Sequence, residues 1–361
     1  MKTIISTIGL TTLLAGAGAF AQGSLTPPGA PAPTMKSLDE IDAKLEKRTP
    51  ISAPFTINQP GSYYLTTNIL VGISDGIDIL ASGVTLDLNG FTILSTAAIP
   101  AGEAISFNGP LRNITIMNGF IQGNVTNNGS GTYNGGGFVD GINCHGYPTM
   151  NVRVSGVSIA GCLYIGIFLN TNDSSVVESC TVRTVGQYGI FASTVRSCLA
   201  VDCGLTAIFA NQVSDSDGQS SASNGIIART AHNCHGSAQG ISTGIDVMTA
   251  QNCYGYSSNS YGIRADSALN CYGRSSTYYG IYATTAQNCH GYSDSFYGVY
   301  ASANANNCYA ESTTGPAALY AVNASFCTAS RPGGRAIWCS IGNGCYALGG
   351  TNLVTFKYNM P

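Results

Sequence analysis

The sequence predicts an all-β chain wound as a single-stranded right-handed parallel β-helix, and three observations carry the prediction. Cysteines recur every 18 or 19 residues, an aliphatic residue recurs eight or nine positions before each from Cys198 onward, and charged residues are unusually sparse. Two phased series at one period are the mark of a solenoid, in which each coil buries its apolar face only against its neighbours. The 15 Lys+Arg and 18 Asp+Glu make up 9% of 361 residues, against roughly 25% in an average soluble domain. Gly 45 comes with only Pro 13, which excludes collagen and low-complexity chains. A net charge of -3, with no Lys between Lys47 and Lys357, leaves no basic footprint for a nucleic acid.

The elements follow in chain order. Lys2, the apolar stretch Ile4 to Leu14, and Ala19-Phe20-Ala21 before Gln22 have the order of an export signal, so residues 1–21 are expected to be removed. Ser6, Thr7, Thr11 and Thr12 break the apolar stretch short of the about 20 residues that span a bilayer. No transmembrane segment is expected, and the location is secreted, periplasmic or at the cell surface. Residues 22–49 divide into a linker with Pro27, Pro28, Pro31 and Pro33 and a short amphipathic helix. From Met35 to Arg48, Leu38, Ile41 and Leu45 form a narrow stripe, and Ser37 stands three before Glu40 as in a capping box. Such a helix suits the open end of a solenoid.

The β-helix is expected over 50–346, with 347–361 as a C-terminal cap or tail. In the first half, Val84-Thr85-Leu86-Asp87-Leu88 and Ile114-Thr115-Ile116 alternate and are each followed by Asn-Gly-Phe. Ile77, Ile105, Ile142 and Ile167 open the aliphatic series at irregular intervals, so these coils carry longer loops. Beyond them the period is regular. Cys180, Cys198, Cys234, Cys253, Cys271, Cys289, Cys308, Cys327 and Cys345 leave one double gap, which Ser216 halves. Ile190, Ile208, Ile226, Ile245, Ile263, Ile281, Val299, Leu319 and Ile337 precede Cys198, Ser216 and the later cysteines by eight or nine residues. A period of two puts Ile281 and Ala283 inside and Tyr282 outside. Asn233, Asn252, Asn270, Asn288 and Asn307 are expected to stack in a bend, with amides bonded between coils. Thirteen rungs at roughly 4.8 Å make a rod of about 60 Å. An 18-residue coil also fits a left-handed hexapeptide solenoid. Steps of six from Ile263, however, meet Ser275 and Gln287 where an aliphatic residue is required, and right-handed crossovers prevail between parallel strands.

The thirteen cysteines of an exported chain invite disulfides. Stacked positions hold β-carbons near 4.8 Å where a disulfide wants about 3.8 Å. The nine in register are therefore read as a cysteine ladder of buried thiols, with partial pairing of neighbours as the alternative. Cys144, Cys162, Cys203 and Cys339 lie outside the register. Metal binding is not expected, since Cys234 and His235, or Cys289 and His290, point to opposite faces of their strands.

Strand, Asn bend, Cys or Gly, then Gly-Ile, recurring behind an export signal, resembles the secreted right-handed parallel β-helix repeat proteins of the pectate-lyase-like superfamily. The leader from Gly23 to Pro33 and the segment Pro60-Gly61-Ser62-Tyr63-Tyr64-Leu65 are similar to exported members of that group. The resemblance covers nearly everything after residue 21 and implies the fold, with polysaccharide as the class of ligand or substrate. Repeat motifs specify winding and not chemistry. The Asn-Thr-Asp, Asp-Asp, Gly-His-Gly and Arg-Ile-Lys signatures of polygalacturonases are absent, Asn170-Thr171-Asn172-Asp173 being a near miss. Acidic residues read along the chain as scattered singly, unlike the carboxylate cluster of a calcium-dependent lyase. No cofactor is implied, with calcium left open.

Two candidate sites emerge. Asp215 and Asp217 stand two apart, with His235 expected beside Asp217 on the next rung, a set able to serve as acid and base on a glycosidic bond; Asp215 also falls in the Asn-bend slot. The residue after each core aliphatic faces outward and is Phe168, Phe191, Phe209, Tyr282, Tyr300, Tyr320 and Trp338, a row suited to stacking on sugar rings or a protein partner. Tyr254, Tyr272, Tyr309 and Tyr346 follow the cysteines on another face. Asp246 beside Arg264 reads as a cross-strand ion pair. Two functions stand: a secreted protein that binds or processes polysaccharide, and a non-enzymatic extracellular or cell-surface scaffold. Oligomeric state is not marked.

Overall fold

The computed structural model describes residues 48–171 and 174–360. The signal, the linker and nearly all of the helix expected at the N-terminus lie outside the described residues. Strands Thr49–Ile51, Gly61–Leu65 and Val84–Asp87 pair in parallel, each on the one before. Phe55–Ile57, Ile77–Ile79 and Glu103–Phe107 make a second column, and Ile69–Val71 with Thr92–Ser95 begins a third. The chain is an all-β parallel solenoid of the right-handed type, about 16 turns of roughly 19 residues, or a rod of about 75 Å. The count of thirteen rungs is too low, because the first coils carry three-residue strands without a Gly-Ile mark. At the other end, Thr351–Tyr358, within the stretch expected as a cap or tail, pairs in register with Arg335–Asn343. No helix occurs among the described residues.

From Ile190 the coils become uniform. Seven-residue strands such as Ile263–Leu269 and Ile281–Gln287 stack Ile on Ile and Ala on Ala. A bend follows in which Asp215, Asn233, Asn252, Asn270, Asn288 and Asn307 all take φ between 49° and 54°, the left-handed region that Asn and Asp tolerate best after Gly. Four-residue strands Tyr254–Ser257, Tyr272–Ser275 and His290–Ser293 form the third column, and a loop returns to the next Gly-Ile.

The core narrows along the rod. Ile57, Leu65, Ile77, Ile79, Leu86, Ile105 and Phe107 fill the early coils, whereas Ala283, Ala286, Ala301, Ala305 and Ala310 line the later ones. In the thin coils the two sides meet backbone to backbone. A Cβ on Gly273 would lie 2.2 Å from the Gly280 carbonyl oxygen, and one on Gly280 would lie 2.6 Å from that of Gly298. A buried serine closes several of the later coils, Ala238 taking its position in one: Ser275 Oγ donates to the Ser260 carbonyl at 2.5 Å and accepts the Tyr278 N–H at 2.8 Å. Ser257, Ser293 and Ser312 repeat the arrangement. An amide or carbonyl buried without such a partner would cost about 1–3 kcal/mol.

All thirteen cysteines are buried and unpaired. The N–H after one cysteine bonds the carbonyl of the cysteine a coil earlier, as from Tyr272 to Cys253 and from His290 to Cys271, both at 2.8 Å. The thiols themselves turn to local carbonyls, Cys253 to Gln251 and Cys271 to Leu269 at 3.2 Å. They are separate thiols and not a bonded ladder. Ser216 takes their slot once, accepting the Cys198 N–H at 3.1 Å.

Candidate functional site

The bend and the strand after it shape one long groove of about 1000 Å³ running across coils from Ser179 to His290. One wall is an amide ladder. Asn233 donates to Asp215 at 3.0 Å, and Asn252, Asn270, Asn288 and Asn307 each donate to the amide oxygen one coil earlier at 2.9–3.1 Å. The other wall is the residue after each cysteine, in strict register: Leu199, Asp217, His235, Tyr254, Tyr272, His290 and Tyr309. Its rings are 4.7–5.1 Å apart between centroids. Tyr254 and Tyr272 lie nearly parallel, 6° apart, so each covers a face of the other. This stacked pair therefore turns ring edges and hydroxyls outward, while His235 and His290 meet their tyrosine neighbours edge to face at 68–87°.

The three residues expected as a catalytic set line the middle coils of this groove. His235 Nδ1 lies 3.2 Å from Asp217 Oδ2, with both side chains over a third exposed. Asp215 is the terminal acceptor of the amide ladder, which explains a carboxylate in an Asn slot. Asp217 Oδ1 and His290 Nε2 are buried without a hydrogen-bond partner. Burial pushes the His290 imidazole below its ordinary pKa, against the opposing pull of Glu311, so its ring is neutral at pH 7.

The second predicted row is continuous in register but splits into two blocks. Phe168, Phe191 and Phe209 stack at 4.7–4.8 Å, and Tyr282, Tyr300 and Tyr320 at 4.6–5.1 Å with Trp338 edge-on at the end. Ile227, Asp246 and Arg264 separate them. Arg264 grips Asp246 through two hydrogen bonds of 2.7 and 2.8 Å, the ion pair the sequence predicted. All seven rings are half-buried. Tyr261, Tyr279 and Tyr297 form a further stack at 5.4–5.6 Å against their edges, with Tyr278 over Phe296. That stack was missed, although Tyr or Phe-Tyr before the Gly of Tyr261-Gly262, Tyr278-Tyr279-Gly280 and Phe296-Tyr297-Gly298 repeats at the coil period. The flat faces expected for sugar stacking are largely used up within these stacks.

Nor are the acidic residues all scattered. Asp75, Glu103 and Asp140 each stand two before a core Ile, and parallel pairing sets Asp140 against Glu103. Asn143 Nδ2 bridges Glu103 Oε1 at 3.1 Å and Asp140 Oδ2 at 2.8 Å. His145 Nε2 sits 3.0 Å from Ser106 Oγ and 3.2 Å from Glu103 Oε2, the latter outside hydrogen-bonding alignment, so that this oxygen has no partner. Burial, then the Asp140 and Asp75 charges, push Glu103 up to about 8. Burial also raises Asp140, and burial with Asp75 raises Asp78. Reading the aliphatic series two positions upstream would have found this cluster.

No group of three or more His, Cys, Asp or Glu suited to a metal occurs among the described residues. No helix among them is long and apolar enough to cross a membrane. No protein-family model and no curated protein matches the chain. Among solved structures it is similar to the A-module of mannuronan C-5 epimerase AlgE6 of Azotobacter vinelandii, at 11% identity over 83% of this chain and 90% of that one, TM-score 0.32. It is similar likewise to the AlgE4 A-module of the same organism, at 12% over 84% and 88%, TM-score 0.29. A third, the Dettilon tailspike protein gp208, is 13% identical over 86% of this chain and 61% of that one, TM-score 0.26. The parallel β-helix assignment rests on the strand register of this chain.

Proposed function

We propose that the protein binds an extended polysaccharide along the groove between the amide ladder and the Asp217–Tyr309 row. One observation carries the reading: hydroxyl, imidazole, amide and carboxylate groups recur once per coil on both walls of a single open groove. A hydroxyl-rich polymer matches that lining by hydrogen bonds to ring edges. None of Phe168, Phe191, Phe209, Tyr282, Tyr300, Tyr320 and Trp338 lines this groove, so sugar stacking on that row would be a separate site. Affinity electrophoresis in gels containing polysaccharides tests the reading. Tyr254→Phe with Tyr272→Phe keeps the stacked rings and removes two hydroxyls, and is expected to weaken retention about tenfold, or about 1.4 kcal/mol.

Processing rests on the Asp217–His235 pair, with Asp215 beside it. If the pair acts as acid and base, Asp217→Asn abolishes release of reducing ends. A non-enzymatic scaffold, extracellular or at the cell surface, is the second reading, favoured by the way the amide and aromatic rows satisfy one another. Export rests on residues 1–21, and the N-terminal sequence of the mature chain tests it.

A further inference from the structure

We infer that the polysaccharide this groove takes is uncharged. The inference rests on the groove reading above and narrows its ligand class. Among the residues lining the groove, the charged ones are Asp215 and Asp217, and none is Lys or Arg. The two carboxylates in this lining repel a carboxylate on a ligand, and Asp217 Oδ1 is buried out of a ligand's reach. Its other oxygen is held by His235, and His290 is neutral because burial disfavours its cation.

Along the middle coils Arg274 stands one outward row over, bordering a hollow shared with His235, Ser237, Tyr254 and Tyr256. It lies on the Tyr292 ring at 5.3 Å, and Asp294 accepts the Tyr292 hydroxyl proton at 2.5 Å. Glu311 follows Tyr292 in the same row. The groove is therefore negative at the Asp215–Asp217 coil, and the Arg274 cation beside it is offset by nearby carboxylates. A chain bearing one carboxylate per sugar would need a cation about every coil to balance its charge. Hydroxyls need only donors and acceptors, which both walls supply.

Affinity electrophoresis with two sets of probes decides the matter. One set is uncharged: galactan, xylan, mannan and mixed-linkage glucan. The other is polygalacturonate and alginate, each run beside its carboxyl-reduced form, which keeps the backbone and removes the charge. Retention by at least one uncharged polymer is expected, changing less than about twofold between about 20 mM and about 500 mM salt and falling about tenfold in the Tyr254→Phe, Tyr272→Phe variant. Retention by a polyuronate that is weakened by salt and by carboxyl reduction, yet still sensitive to the two tyrosines, would overturn the uncharged class and leave the groove reading standing. No retention by any probe, or retention indifferent to the tyrosines, would overturn the groove reading and this inference with it. Circular dichroism of the variant confirms that it retains the β-fold.

Discussion

Glu103 shows what burial does to one carboxyl. Its proton is held up to about pH 8 because ionisation would bury a charge beside Asp140 and Asp75. The unfolded chain gives up that proton near the ordinary value of 4.5, so between the two values the folded state binds more protons. Stability is full below about pH 4.5, falls as pH rises towards about 8, and is flat with respect to this group above that. Urea denaturation from pH 5 to pH 9 is expected to show the decline, and Glu103→Gln to remove most of it. A pH-independent difference between the two proteins would contradict this account. Ser275 offers a second single-residue test. Ser275→Ala strands the Ser260 carbonyl and the Tyr278 N–H, at a cost of about 2 kcal/mol, read as a lower denaturation midpoint. Neither role was legible along the chain: Glu103 looks isolated until the winding brings Asp140 beside it, and Ser275 looks like surface composition until the coil closes over it.

At the scale of elements, the bend and the ladder can be separated experimentally. Asn252 combines a φ of 54° with an amide that donates to Asn233 and accepts from Asn270, both at 3.1 Å. Asn252→Gly keeps the backbone easy and removes the amide; Asn252→Ala loses both and is expected to be less stable by about a further 1 kcal/mol. Equal stability of the two variants would show that the left-handed conformation is not held there. The ladder was readable in the sequence because the Asn residues share one register with the cysteines. The aromatic rows were readable as rows, but their use was not. Alternation sends Tyr282 outward, whereas only the stacking of Tyr279, Tyr282 and Tyr300 shows that faces are covered and edges are left. The Tyr278-Tyr279 turn escaped because it lies in a loop, where a period of two gives no direction.

For the molecule as a whole, a core that thins along its axis implies uneven resistance to opening. Early coils bury Ile, Leu and Phe, each worth about 1.5–3 kcal/mol, against much less for Ala. Hydrogen exchange is expected to protect the strands between Ile77 and Ile121 more strongly than those between Val299 and Tyr358, and the reverse order would refute the gradient. The last strand leaves Leu353, Phe356 and Tyr358 about half exposed, the open end of the stack. Thiol labelling gives a second global readout: with every cysteine buried, the native protein is expected to react slowly and to release its thirteen thiols together on unfolding. By itself the sequence determined the winding, because a period of 18 or 19 residues with apolar positions in phase has one economical solution, in which like stacks on like. It also determined which residues face outward, since strands alternate. The tertiary structure alone decided which side chains from distant coils share a space: the groove with its two polar walls, the Glu103–Asp140 pair, the covered ring faces. The reason is geometric. Period fixes what lies above and below within a column, while contacts between columns depend on loop lengths and bend angles that no repeat encodes.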